Sequence, residues 1–460
     1  MSTQTKQSTQ SSAFAKRVVS EINPLISLAV PLIIGLTTST LPGLVDTAML
    51  SWLGAPALGA VSLTSSLLLI FYAGLYGFVG PVGILVGQAY GANQPGKVGQ
   101  VIRHAIVIAL LAGLISTGLM LLGLMGLPFV GQPSEVLDVI NPYWISMSLS
   151  LIPYVLLLVF KQLYDAIDRP WLGLWLTLVA VVSNIFLNWL LIYGNLGFPQ
   201  LGLLGAGLGS LLGQGIGLLG MILHYQFAPE MAEYRQADGE PWSLLAFREQ
   251  LREGTPMALQ YVFEGGAVAV AGILIGWLGA VELAANQIVN SVSSMLYMLP
   301  LGMAGAVTIR VAQAAGAGER KRLPPITIAA LGLTTLWTSA FTILLLIEGD
   351  SVATLFVSDA QLIATAALTF TAVALMQVFD GLQSVSLGAL RGILDNRWPT
   401  VVSLIGYWLI ALPASYVLGV ALEGGAAGVW FGFAVGLVVA SIMLIARIRT
   451  QFKRLAESAG

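Results

Sequence analysis

The sequence predicts an all-α integral membrane protein, with twelve transmembrane helices in two six-helix bundles related by pseudo-twofold symmetry. Charged residues make up only 9% of the 460 positions, and mean hydropathy is +0.87. Soluble domains carry about 25% charged residues, so a water-soluble fold is excluded. Apolar runs recur from Leu25 to the C-terminus, and they are long enough to cross a hydrocarbon core of about 30 Å. They are too long, and too little alternating, for barrel strands of about ten residues. The chain also repeats itself. A shift of 225 positions lays Pro256 on Pro31, the run Trp277-Leu278-Gly279-Ala280 on Trp52-Leu53-Gly54-Ala55, and Gln313 on Gln88.

The helices follow in order from these runs. Helix 1 is expected over 23–51, carrying Pro31 and Asp46, and helix 2 over 57–90, ending in Val86-Gly87-Gln88-Ala89-Tyr90. Helix 3 (98–127) follows the turn sequence Gly91–Gly96, and helix 4 covers 135–165. Helix 5 (171–193) opens after Asp168-Arg169-Pro170 and holds Asn184 and Asn188 on one face. Helix 6 (203–227) has glycines at 205, 209, 213 and 217, a smooth stripe that lets a neighbouring backbone approach closely. Helices 7 to 12 are expected over 249–279, 283–315, 324–347, 358–390, 398–420 and 426–449. The repeat continues through them: Asp168 and Trp171 correspond to Asp395 and Trp398, and the helix 6 stripe to Gly428, Gly432 and Gly436. The expected organisation is an N-terminal lobe (1–228), a polar cytoplasmic linker (229–248) and a C-terminal lobe (249–460). Because each half has an even number of helices, both enter the membrane in the same direction. Their pseudo-twofold is then expected along the membrane normal, with a cleft between the halves.

Charge placement tests the helix count. All twenty Lys and Arg fall in the two tails or in and beside connections on one side, such as Lys97, Arg103, Arg169, Arg235, Arg320 and Arg397. The opposite connections carry acids, including Glu135, Glu282, Asp350 and Glu423. The positive-inside rule then places both termini of a multi-pass protein in the cytoplasm. No apolar signal segment precedes helix 1, and no cysteine is present, so a cleaved leader, disulfides and thiolate metal sites are not expected. The spelling GxGxxG at Gly215–Gly220 lies inside an apolar helix with no preceding strand. It reads as packing, so neither a nucleotide cofactor nor a nucleic-acid partner is expected.

Asp46, Glu264 and Asp380 lie several residues inside their spans. An acid near mid-membrane costs roughly 2.5–3.5 kcal/mol on insertion scales, so such residues mark ion or substrate pathways. No Lys or Arg is expected at comparable depth. A neutral, hydrogen-bonded carboxyl is the alternative reading for each. Gln260 lies one turn before Glu264, and Gln377 and Gln383 flank Asp380. Those three glutamines, with Asn184, Asn188, Tyr261 and Gln287, are the expected polar lining and substrate contacts. Asn184 and Asn188 either join Asp46 or merely bond helix to helix. Pro31 and Pro256 remove a backbone hydrogen bond in helix interiors, which leaves either a passive kink or a hinge. Glu264 and Asp380 are expected to share one cation or proton, sodium being the metal ion that suits them.

These residues resemble the multidrug and toxic compound extrusion (MATE) family. The likeness rests on Val45-Asp46-Thr47, Val86–Ala92, the Asn184/Asn188 pair, Phe263-Glu264, Ala306–Gly316, and Asp380 with Gly388-Ala389-Leu390-Arg391-Gly392. An Asp on helix 1, a Glu on helix 7 and an Asp on helix 10 are similar to the NorM-like branch in particular. The resemblance implies secondary-active antiport of organic, cationic drugs against Na+ or H+ rather than enzymatic catalysis. It associates the helix 7 and helix 10 acids with cation binding and the helix 1 acid with coupling. Some other branches carry an acid where this chain has Asn188. The expected partners are small amphipathic drugs and the lipid bilayer, and a monomer is expected.

A lipid-linked oligosaccharide flippase is the alternative within transport, but it would want basic residues in its cleft for a pyrophosphate. A major facilitator would carry a basic loop where this chain reads GANQPGKVGQ. A membrane-embedded aspartyl protease would want a GxGD setting, whereas Asp380 lies in VFDG. An ion channel would differ in showing flux that neither saturates nor exchanges.

Overall fold

In the computed structural model, residues 3–130, 133–235 and 241–457 are described. They contain helices and connections and no strand. Twelve helices are long and apolar enough to cross a membrane. In chain order they are α1 (Ser12–Leu53), α2 (Ala55–Gly91), α3 (Pro95–Phe129), α4 (Ser134–Ala166), α5 (Pro170–Tyr193) and α6 (Gly202–Phe227). The second set is α7 (Leu244–Leu278), α8 (Ala280–Gly316), α9 (Arg320–Thr354), α10 (Ala360–Gly392), α11 (Arg397–Ala421) and α12 (Gly425–Glu457).

The expected spans are all present, and the differences lie at their ends. The helix of α1 reaches back to Thr3, and α12 runs on to Glu457. Hydropathy marks the apolar part of a helix, whereas the backbone ladder continues into polar turns. The first span is also interrupted, as Thr3–Ser39 and Leu41–Leu50, with Pro42 opening the second piece. Pro31 lies inside the first piece and Pro256 inside α7. Residues 236–240 of the expected linker lie outside the described residues.

The chain forms two compact units, but neither begins nor ends at that linker. One comprises Ile34–Ala258; the other joins the chain through Ile33 to Leu259 and onward. Both boundaries fall two residues beyond a helix-interior proline, and they are related by the same 225-residue shift. Packing explains the exchange. Leu25, Leu28, Ala29 and Leu32 are buried in one core with Met303, Val307, Ile326 and Leu444. Glu21 adds a polar anchor there, accepting from Arg322 Nε at 2.8 Å and pairing with Arg310 Nη2 at 3.5 Å. In the other unit the start of α7 is held to α3: Gln250 Nε2 donates to the Val101 carbonyl at 3.2 Å, and His104 Nε2 accepts from Ser243 N at 3.2 Å.

Within Ile34–Ala258, α2 and α3 pack on α4, and α4 and α5 pack on α6. In the other unit, α8 and α9 pack on α10, and α10 and α11 pack on α12. The internal repeat therefore holds at the level of contacts. A side chain added at Gly80 would meet Met257, and one added at Gly305 would meet Leu32. Those two pairs are twins under the 225-residue shift.

Candidate functional site

The glycine stripe of α6 builds the first polar site. Gly205, Gly209, Gly213 and Gly217 face Leu191, Asn188, Asn184 and Ala180 of α5, so the two backbones lie nearly in contact. This approach brings Ser210 to the asparagines: Asn184 Nδ2 donates to Ser210 Oγ at 3.0 Å. The second piece of α1 then lays Asp46 against both helices. Asn188 Nδ2 donates to Asp46 Oδ1, and Ser210 Oγ donates to Oδ2 at 3.4 Å. Asn188 Nδ2 also lies 3.5 Å from Asn184 Oδ1. Asp46 is 5% exposed. The asparagine pair thus does both things that the sequence left open, joining Asp46 and tying helix to helix.

Beside this cluster lies a cavity of about 390 Å³ inside the Ile34–Ala258 unit. Asp46, Tyr72, Tyr143, Tyr154, Asn184 and Gln214 contribute to its wall. The Tyr72 and Tyr154 rings meet with centroids 4.4 Å apart. One carboxylate among aromatic faces in a largely apolar recess is suited to an organic cation, through charge and ring quadrupole together. The tyrosines were absent from the sequence expectation. Their spacing within α2 and α4 is indistinguishable from ordinary packing, and only the approach of those helices makes a wall of them.

The second site lies in the other unit. Glu264 Oε1 accepts from Gln260 Nε2 and from Ser403 Oγ, each at 2.9 Å. Asp380 lies near enough to Glu264 for the two charges to repel, and Tyr297 and Tyr407 lie within the field of both acids. Tyr407 donates to Gln383 Oε1 at 3.1 Å, and Tyr297 lies 3.3 Å from Ser384 Oγ. Gln377 turns away to donate to the Ser293 carbonyl at 3.2 Å. Among the described residues no three His, Cys, Asp or Glu side chains gather as a metal cage. The carboxylates of Glu264 and Asp380 supply hard oxygen atoms, the kind that suit Na+ or a shared proton.

Gln287 is exposed, and its carbonyl accepts from Ser291 at 2.9 Å. Its neighbour Asn286 is buried and accepts from Trp430 Nε1 at 2.8 Å. One expectation is corrected, that of no basic residue at the depth of the acids, because Arg391 is 8% exposed and reaches Glu264 through Gln260. Its Nη2 donates to Gln260 Oε1 and its Nη1 to Tyr261 Oη, both at 3.1 Å, and its guanidinium lies 5.0 Å from the Tyr261 ring centre. Arg391 reads as a loop charge because it is near a helix end. A signal was nevertheless present: it follows Asp380 by eleven residues, three helical turns along nearly the same face.

A twelve-span helical membrane protein with an internal twofold repeat and buried carboxylates in each half is a transporter-type scaffold. The MatE family model matches residues 31–190 and 256–417, and the chain belongs to that family. It is 31% identical over 424 residues to the probable multidrug resistance protein NorM of Rhodopseudomonas palustris, covering 90% of this chain and 88% of that one. It is 29% identical over 440 residues to the protein of the same name from Synechococcus, covering 94% of both. Among solved structures, the fold matches that of MATE in the bent conformation, with a TM-score of 0.87 at 20% identity over 97% of this chain and 98% of that one. It also matches the eukaryotic MATE transporter AtDTX14, at 0.83 with 21% identity over 96% and 100%.

Proposed function

We propose that this protein is a secondary-active multidrug exporter, driving organic cations out of a bacterial cell through its inner membrane in exchange for Na+ or H+. The observation that carries the reading is the cavity with Asp46 in its aromatic wall. The named relatives are multidrug resistance proteins, which supports small-molecule drugs as the substrate class and does not favour the flippase reading.

Asp46 gives the exchange a physical basis. When ionised, it holds a cationic drug by charge against the tyrosine faces. A cation or proton arriving at the carboxylate removes that attraction and releases the drug. The released state and the loaded state thereby favour different conformations, which is all that ligand-driven alternation requires. Glu264 and Asp380 are assigned to cation binding in the second unit. Moving one charge inward through 100 mV supplies about 2.3 kcal/mol, close to fifty-fold accumulation, so one ion per cycle suffices for useful export. Pro31 and Pro256 are assigned as hinges because the compact units change hands just beyond them. Both termini are placed in the cytoplasm, and one chain is taken as the working unit because each site is complete within it.

Dye efflux from proteoliposomes tests the whole reading. Sodium and pH gradients are imposed separately on purified protein. Efflux that saturates with dye and follows one of the two gradients is expected. Dye movement indifferent to both would overturn antiport.

A further inference from the structure

We propose that Arg391 is a built-in counter-charge of the Glu264/Asp380 site, relayed through Gln260, which leaves that site one net negative charge and hence room for a single monovalent cation. The inference rests on the reading of Glu264 and Asp380 as a cation site.

The relay is continuous. Arg391 Nη2 donates to Gln260 Oε1 at 3.1 Å, and the Nε2 of the same amide donates to Glu264 Oε1 at 2.9 Å. A glutamine amide between a guanidinium and a carboxylate is polarised by both, so its orientation is fixed. Gln260 is fully buried, which removes the solvent that would otherwise screen the two charges from each other. Tyr261 holds the guanidinium from its other side, through its hydroxyl at 3.1 Å and its ring face at 5.0 Å. The arrangement holds the positive charge one amide away from Glu264 along this path. A charge relayed in this way lowers the site's appetite for cations.

The repeat supplies a second line of argument. Under the offset that aligns Asp168 with Asp395, Arg391 falls on Tyr164, whose hydroxyl lies 3.0 Å from His224 Nδ1. No guanidinium occupies the matching place in the other half. That half presents the one carboxylate of Asp46 in its cavity. The Glu264/Asp380 site thus has one buried arginine beside it, whereas the wall of the Asp46 cavity includes no Lys or Arg. Each site is left with one uncompensated negative charge, the right number for a monovalent ion in one and a monocationic drug in the other.

The test uses the full chain in proteoliposomes, with dye efflux measured against the concentration of the driving ion, Na+ and H+ being tried in turn. Arg391→Gln keeps donors and approximate reach but removes the charge, so the half-saturating ion concentration is expected to fall about ten-fold. Arg391→Lys should stay near the parent value. An unchanged half-saturation in Arg391→Gln, whether or not the maximal rate drops, would reduce Arg391 to packing and overturn the inference. Should Arg391→Gln fail to fold, Gln260→Met interrupts the relay with both charges retained and should shift half-saturation in the same direction. No shift there would be equally fatal. Glu264→Gln separates the two levels: if it retains ion-driven export, the cation-site reading itself is wrong. If it is inactive while Arg391→Gln shows no shift, only the present inference falls.

Discussion

The Asn188 side-chain amide donates to the Asp46 carboxylate, joining the second piece of α1 to α5. The contact ties the carboxyl to which the proposed exchange assigns a change of charge to a helix that lines the cavity, so losing the charge and losing the donor should have separable effects. Asp46→Asn should leave the protein folded, because the side chains are almost the same size, and should bring drug export to background. Normal resistance at normal expression would make Asp46 structural. Asn188→Leu, by contrast, removes a donor from a buried acceptor and should cost about 1–3 kcal/mol. The check is a lowered melting temperature in detergent.

Gly209 should be irreplaceable for a reason located on the neighbouring helix. A Cβ there would run into the Asn188 side chain, whereas one on Gly215 would meet nothing within 4 Å. Gly209→Ala is expected to cost about 1–3 kcal/mol from overpacking and to depress export. Gly215→Ala, on the same helix, should behave as the parent in both melting and efflux assays. Equal behaviour of the two variants would contradict the packing of α5 on α6.

Much of this architecture is legible in the sequence, and the part that is not has a physical reason. Hydropathy and Lys/Arg placement locate all twelve spans, and the glycine stripe announces a close helix pair. The depth of Asp46, Glu264 and Asp380 marks them before any contact is known. Periodicity says that a helix face is buried but not what buries it. The attachment of Leu25–Leu32 to a core built from α8, α9 and α12 is therefore invisible until the contacts are seen. Gln287 and Asn286 show the finest limit, because adjacent amides on one turn differ in burial, one exposed and one buried, and composition treats them alike. Arg391 shows the opposite case, in which a rule that is right for loops conceals a buried charge.

Glu264→Gln and Asp380→Asn should each abolish ion-driven efflux, and the double variant should be little worse than either alone. Two acids sharing one cation act as a unit, and effects within a unit do not multiply. Losses that multiply would separate them into two sites.

Glu21 should behave as a stability residue. It is 5% exposed and meets two arginines, Arg322 at 2.8 Å and Arg310 at 3.5 Å. Glu21→Ala leaves two guanidiniums without their shared acceptor. Arg322 is partly exposed, so solvent recovers some of the loss, and about 1–3 kcal/mol is expected. Melting in detergent measures it, and Glu21→Ala combined with Arg322→Met should be less than additive.

Sidedness is open to direct labelling because the chain has no cysteine. A cysteine introduced as Leu245→Cys, at an exposed position at the start of α7, should react only from the cytoplasm. Glu423→Cys, between α11 and α12, should react only from outside. The reverse pattern would invert the proposed topology.

The exchange of helix ends has a consequence for how the protein is made. The residues through Ile33 leave the ribosome well before their partners, since the core that receives them is assembled from residues beyond Leu259. Domains generally fold in the order of their synthesis. Here the earliest segment must wait, inserted but unpacked, through the translation of more than half the chain. The start of α7, meanwhile, completes the unit that was made first. Neither half can finish alone, so a ribosome that stalls midway leaves a product lacking a piece of its own structure, exposed to membrane quality control.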